Sequence, residues 1–135
     1  MEKSNLNVDF LVIWLDRDIE KTKDSRESKG RIRHAVRNQL KTFDDPDECV
    51  NYMLEHCTKR IFFIVSGSFG YYLVNLIYHL PQIHRIYVYC ANRQRAESWA
   101  KTELKISGIF TKSKTLIEKL CDDMQSCDDN SRLPM

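Results

Sequence analysis

The chain alternates between two kinds of hydrophobic pattern. Three segments are near-continuous runs of β-branched, aromatic and aliphatic residues: Phe10-Leu-Val-Ile-Trp-Leu15, Ile61-Phe-Phe-Ile-Val65 and Ile86-Tyr-Val-Tyr-Cys90. Five or six such residues in a row suit a strand buried on both faces, as in a parallel sheet. Lys41-Thr-Phe43 and Gly108-Ile-Phe-Thr111 are shorter and partly polar, the pattern of edge strands.

Between these runs the period changes to that of helices. Ile32, Val36 and Leu40 stand four apart in a narrow stripe. Cys49, Val50, Met53, Leu54 and Cys57 follow the 3/4 spacing of one helix face, after a Pro46 suited to a first turn. Phe69, Tyr72, Leu73, Leu76, Ile77 and Leu80 repeat that spacing, and Pro81 stops the helix. Ala96, Trp99 and Ala100 mark a fourth helix. Leu116, Ile117, Leu120, Cys121 and Met124 mark a fifth, with Ser113 as its N-cap.

The order is β-α five times over. Right-handed crossovers with helices on both faces then predict an α/β, flavodoxin-like three-layer sandwich. Strand order 2-1-3-4-5, all parallel, places the three strong apolar runs in the centre and the two weak ones at the edges. Residues 8–124 form this single domain, and 1–7 and 125–135 read as flexible tails, since the segment after Met124 loses all periodicity.

Composition narrows the setting. The 135 residues suffice for one domain that folds without a metal or disulfide. The net charge of +2, with basic and acidic residues interleaved as in Asp16-Arg17-Asp18 and Glu20-Lys21, argues against nucleic acid and anionic membranes as partners. No apolar run is long enough to span a bilayer. The five cysteines are odd in number and contain no C-x-x-C pair. Cys49, Cys57 and Cys121 fall on apolar helix faces, where a thiol acts as a small hydrophobe. These features predict a reducing, cytoplasmic location, with no disulfide framework and no zinc. The N-terminal MEKSNLN is polar, unlike a signal peptide.

In open α/β sheets a ligand binds beyond the carboxyl ends of the strands, where the strand order reverses. Here that point lies between strands one and three. It gathers Asp16 and Arg17, the turn Ser66-Gly-Ser-Phe-Gly70, and Asn92 and Arg93 after strand four. Asp16, Arg17, Ser66, Gly67, Ser68, Gly70, Asn92 and Arg93 are therefore the candidate residues for a small anionic ligand, with the backbone N–H groups of the third helix as its anchor. The turn matches neither the P-loop nor the dinucleotide fingerprint. A plain structural role also accounts for it: a serine cap and a glycine that permits a tight turn.

Several chemistries are disfavoured. Asp16 and Asp18 suggest a receiver-like magnesium site, but strand three ends in Ser66 where a receiver places its phosphate-accepting aspartate. Ser-Gly-Ser-Phe-Gly lacks the G-x-S-x-G order of a nucleophile elbow. His34, His56, His79 and His84 have no ligand spacing. Cys90 has no histidine near it in sequence. No catalytic residue, metal or cofactor is assigned. The third helix, in contrast, carries a second apolar set, Tyr71, Val74 and Tyr78, beyond what one buried face needs. It is the candidate surface for a protein partner or for self-association as a homodimer.

The segments Leu40-Lys-Thr-Phe-Asp-Asp-Pro-Asp-Glu-Cys49, Ile61–Gly70, Leu80-Pro-Gln-Ile-His-Arg-Ile-Tyr-Val-Tyr-Cys90 and Trp99-Ala-Lys101 resemble a recurrent α/β domain of invertebrate proteins. That domain stands ahead of tetratricopeptide repeats or arginine ADP-ribosyltransferase domains, and the likeness spans residues 8 to 124. The resemblance implies a context beside a repeat or effector domain rather than a chemistry. A more distant likeness is to Toll/interleukin-1 receptor domains of signalling proteins, through the layout and the run Ile-Phe-Phe-Ile-Val-Ser. Enzymatic members of that family carry a glutamate on the helix after this strand. Ser68 to Leu80 holds no acidic residue, so the likeness implies a scaffold role without NAD cleavage. The overall reading is a non-enzymatic regulatory or protein-interaction module. The alternative is a nucleotide or phosphorylated small-molecule binding domain.

Overall fold

A computed structural model describes residues 10–19, 21–37, 39–100 and 105–132. The elements run β1 (Phe10–Leu15), α1 (Lys23–Ala35), β2 (Leu40–Phe43), α2 (Pro46–Glu55), β3 (Arg60–Ser66), α3 (Gly67–Ile77), β4 (Ile83–Tyr89), α4 (Arg93–Ala100), β5 (Ile106–Phe110) and α5 (Ser113–Arg132). The five strands form one sheet in the order β2-β1-β3-β4-β5, and every pairing is parallel. This is the flavodoxin-like arrangement expected from the apolar runs.

Side chains alternate across a strand, and here both sides meet a helical layer. Leu11, Ile13 and Leu15 of β1 join Phe63, Val65, Ile86 and Val88 under α2, α3 and α4. Phe10, Val12 and Trp14 join Phe62, Ile64 and Tyr87 under α1 and α5. Double burial is the physical reason these strands carry no polar alternation.

Caps fix several helix starts. Thr22 Oγ1 accepts the Ser25 N–H at 2.9 Å ahead of α1. Asp45 Oδ1 accepts the Asp47 N–H ahead of α2, which opens on Pro46 as expected. Ser113 is not the cap of α5 but its first residue. The Leu116 N–H bonds to the Lys112 carbonyl, and the Ser113 hydroxyl accepts from Arg31 instead.

Four other expectations need correction. Leu40 does not continue the α1 stripe. The helix stops at Ala35, Arg37 turns through a positive φ of 56°, and Leu40 begins β2. Cys57 is exposed rather than on a packed face, because α2 ends at Glu55. Helix α3 ends at Ile77, short of Leu80, which packs on the core from the following turn. Helix α5 runs past Met124 to Arg132, since a helix, once started, adds residues by backbone hydrogen bonds that need no apolar stripe. The remaining tail assignments, residues 1–7 and 133–135, lie outside the described residues. Among the described residues no helix is long and apolar enough to cross a membrane.

Candidate functional site

The strand order places the reversal point between β1 and β3, and a groove of about 450 Å³ opens at their carboxyl ends. The Asp16 N–H bonds to the Phe43 carbonyl at 3.0 Å, which ties the end of β1 to β2. Its carboxylate turns back to accept the Asp18 N–H at 2.9 Å. Burial pushes the Asp16 carboxyl up from its ordinary value, a rise that this hydrogen bond partly opposes. From β3, Ser66 holds the N-cap position of α3, yet its hydroxyl makes no capping bond. It pairs with the Ser68 hydroxyl at 3.1 Å. From the loop after β4, the Asn92 side chain accepts the Arg95 N–H at 3.1 Å and so caps α4.

Of the sequence-assigned residues, Asp16, Ser66, Gly67, Ser68 and Asn92 line this groove, and Arg17, Gly70 and Arg93 do not. The Arg17 guanidinium lies 5.0 Å from the Phe69 ring centroid, a cation–π contact. Arg93 gives its Nη1 to the Ile109 carbonyl at 2.6 Å and its Nε to Glu97 at 3.0 Å, which locks α4 to β5. A Cβ on Gly70 would lie 2.3 Å from the Trp99 ring, so this glycine exists to let α3 and α4 touch. Gly67 has a related role, because a Cβ there would meet Cys90 Cβ at 2.8 Å. The glycines of the turn are thus explained by packing. Asp18, Arg95 and Trp99 line the groove without having been assigned to an anion site. Arg95 had a signal: it stands two residues beyond Arg93 on the same first helical turn. Only the helix phase decides which arginine turns inward.

A smaller lobe of about 190 Å³ lies across Asp16, on the α1 side, walled by Trp14, Ser28 and Tyr89. Ser28 and Tyr89 hydroxyls stand 3.4 Å apart. The Trp14 Nε1 is buried with no hydrogen-bond partner among the described residues.

The groove is poor in reactive groups. The Cys90 thiol is pushed up by burial, against the pull of Arg93, and points at the Asn92 carbonyl at 3.6 Å. A reactive cysteine needs the opposite shift. Among the described residues, no three His, Cys, Asp or Glu side chains gather to hold a metal ion. His56 donates its Nδ1 proton to the Tyr52 carbonyl at 2.8 Å and stacks on the Tyr52 ring, closing the end of α2.

The second candidate surface, α3, is turned differently from the assigned strip. Gly70, Leu73, Val74 and Ile77 are buried against the sheet. Tyr78 is half-buried on the same core, beneath the Lys105 ammonium at 5.5 Å. Tyr71, Tyr72 and Leu76 are 63%, 70% and 50% exposed and, with Asn75, form a shallow depression. Of the assigned trio, Tyr71 alone stands on the outer face. Tyr72 and Leu76, expected on the buried stripe with Leu73 and Ile77, are instead exposed, and Val74 of the surplus set is buried. The helix is apolar almost all round, and the close approach of Gly70 to Trp99 fits this rotation.

Comparison of the chain with protein-family models, curated proteins and solved structures found no match.

Proposed function

We propose that this domain is a non-enzymatic regulatory module that docks a protein partner through the outer face of α3. The observation that carries this reading is the exposure of Tyr71, Tyr72 and Leu76 side by side on a helix whose other face is fully buried. Aromatic side chains supply large contact area with few rotors to order, and they are enriched at interfaces. A domain this size rarely leaves three such groups together in water without a use. The raised Cys90 thiol and the lack of an acidic side chain anywhere on α3 favour a scaffold over a catalyst. The setting that fits the resemblance is cytoplasmic, beside a repeat or effector domain, in the manner of Toll/interleukin-1 receptor-type signalling modules.

The test is the variant Tyr71→Lys/Leu76→Lys. Its circular dichroism spectrum should match the wild type, while its mass in light scattering falls or captured partners are lost. Unchanged mass together with unchanged capture would refute the α3 surface.

A second reading is supported by the groove at the β1/β3 reversal: a nucleotide or other phosphorylated ligand held by Ser68, Arg95 and the first N–H groups of α3. A ligand that binds only the native state raises its apparent stability. A thermal-shift screen of nucleotides and phosphometabolites, repeated on Ser68→Ala and Arg95→Ala, tests it. A β-branched residue at Gly67 is unsuited to this purpose, since its Cβ would collide with Cys90 whether or not a ligand binds there.

A further inference from the structure

The net charge of +2 conceals a segregation of charge between two helices. Residues 21–37, which are α1 and its flanks, contain seven Lys or Arg against two Asp or Glu. Residues 44–55, which are α2 and its lead-in, contain five Asp or Glu and no Lys or Arg. The groups point outward: Arg31, Arg33 and Arg37 are exposed on one side, and Asp44, Asp47, Glu48 and Glu55 on the other. These two helices flank β2, the strand at the sheet edge. Helix α1 packs in the α5 layer and α2 in the α3 layer, so the sheet stands between the two patches. Each patch is kept from neutralising the other within one copy. Nothing keeps them apart between copies.

We propose that a second copy of this chain docks its basic α1 face onto the acidic and aromatic α2–α3 face, head to tail. This rests on the reading of α3 as a docking surface and names its occupant. The chemistry of the two faces matches. Arginine forks pair with carboxylates and stack on aromatic rings. The receiving layer offers carboxylates and the exposed Leu54 on α2, and the exposed Tyr71, Tyr72 and Leu76 on the neighbouring α3. Apolar and charged groups in one layer are the elements of an interface. An unrelated acidic partner would satisfy α1 and leave α2 bare, whereas a second copy satisfies both patches with one kind of contact. Docked head to tail, each contact uses one patch of each copy, so the free patches recruit further copies into a ring or a chain of subunits.

Sedimentation velocity of the full chain tests this at rising concentration and two ionic strengths. At about 0.01 M salt exposed charges act over about 30 Å, and at about 1 M over about 3 Å. The expected result is a mass that climbs above the 16.0 kDa of one chain at low salt and returns to it at high salt. Arg33→Glu/Arg37→Glu and Glu48→Lys/Glu55→Lys should each remain single chains at low salt. Mixed in equal amounts they should assemble again, because the intact basic face of one meets the intact acidic face of the other and the two reversed faces also carry opposite charge. If circular dichroism shows a variant misfolded, its glutamine counterpart, Arg33→Gln/Arg37→Gln or Glu48→Gln/Glu55→Gln, replaces it, and the same loss of assembly is expected. A wild type that stays at 16.0 kDa at low salt overturns the proposal. Assembly that survives the charge variants, or a mixture that never pairs, overturns it equally. A wild type of 16.0 kDa removes the mass readout of the α3 test but leaves its partner-capture readout, so the two readings fail separately.

Discussion

At the carboxyl ends of β1, β3 and β4 most of the polar side chains are engaged within the chain. Asp16 holds the Asp18 N–H, Ser66 holds Ser68, Asn92 caps α4, and Arg93 is spent on Ile109 and Glu97. Along the outer face of α3, Tyr71, Tyr72 and Leu76 stand in water although burial would stabilise them. The two regions share one helix: its first turn borders the groove and its flank carries the aromatic strip. The difference teaches that a rim placed where α/β proteins bind ligands can be largely consumed by its own architecture. The surplus lies on the surface that topology does not single out.

The sharpest way to break this contrast is at the contact that fixes the rotation of α3. Gly70→Val drives a side chain into the Trp99 ring from a Cβ already 2.3 Å away. Overpacking of this kind should lower stability by about 3 kcal/mol in chemical denaturation. A variant as stable as wild type would mean that Trp99 yields freely and that something else orients the aromatic strip.

A cluster away from both regions calibrates what fully partnered polar groups are worth. The Asp123 carboxylate accepts the Tyr87 O–H at 2.7 Å and the Ser107 O–H at 2.8 Å, with Lys119 at 3.3 Å. Burial acts to raise the Asp123 carboxyl, but the hydrogen bonds from Tyr87, Ser107 and Lys119 outweigh it and hold it below its ordinary value. Asp123→Ala leaves the buried Tyr87 hydroxyl without its acceptor and should cost about 2 kcal/mol near neutral pH. A depressed carboxyl contributes its stability above the unfolded value of 3.8 and loses it as pH falls toward the folded one. The gap between wild type and variant should therefore shrink in that acid window. A gap that is constant from neutral pH to below that window would remove the ionised carboxylate from the account.

Gly67→Ala probes the rim itself. Its Cβ would meet Cys90 Cβ at 2.8 Å, so a loss of about 1 kcal/mol is expected from packing alone. A variant of full stability would show that the glycine is not held by packing and would return it to the ligand reading. The smallest effect is expected on the other side of the comparison. Tyr72→Lys, at a position 70% exposed, should change the denaturation midpoint by less than about 0.5 kcal/mol of stability. A large loss would show that the strip belongs to the core.

Much of the fold is legible in the sequence. The doubly buried strands announced themselves as unbroken apolar runs, and the relative strength of those runs ordered the sheet, since an edge strand with one neighbour tolerates polar residues that a central one does not. The rim followed from that order, and five of its eight assigned residues line the groove. Arg17, Gly70 and Arg93 fell away because adjacency in sequence says nothing of direction. A guanidinium two bonds from a groove can as well stack on Phe69 or reach across to Ile109.

The sequence by itself determined the element order, the sheet topology and the presence of surplus aromatic surface on α3, because these depend on period and composition, which are local. Only the tertiary structure decided which residues carry that surplus. The 3/4 spacing put Leu76 on the core stripe and Val74 in the surplus set, and the structure reverses the two. A glycine on α3 and a tryptophan on α4, distant in sequence and in contact in space, choose between them. The segregation of charge is of the same kind. Seven basic and five acidic groups are plain in the chain, but that a sheet stands between them follows from the crossovers that place α1 and α2 on opposite faces.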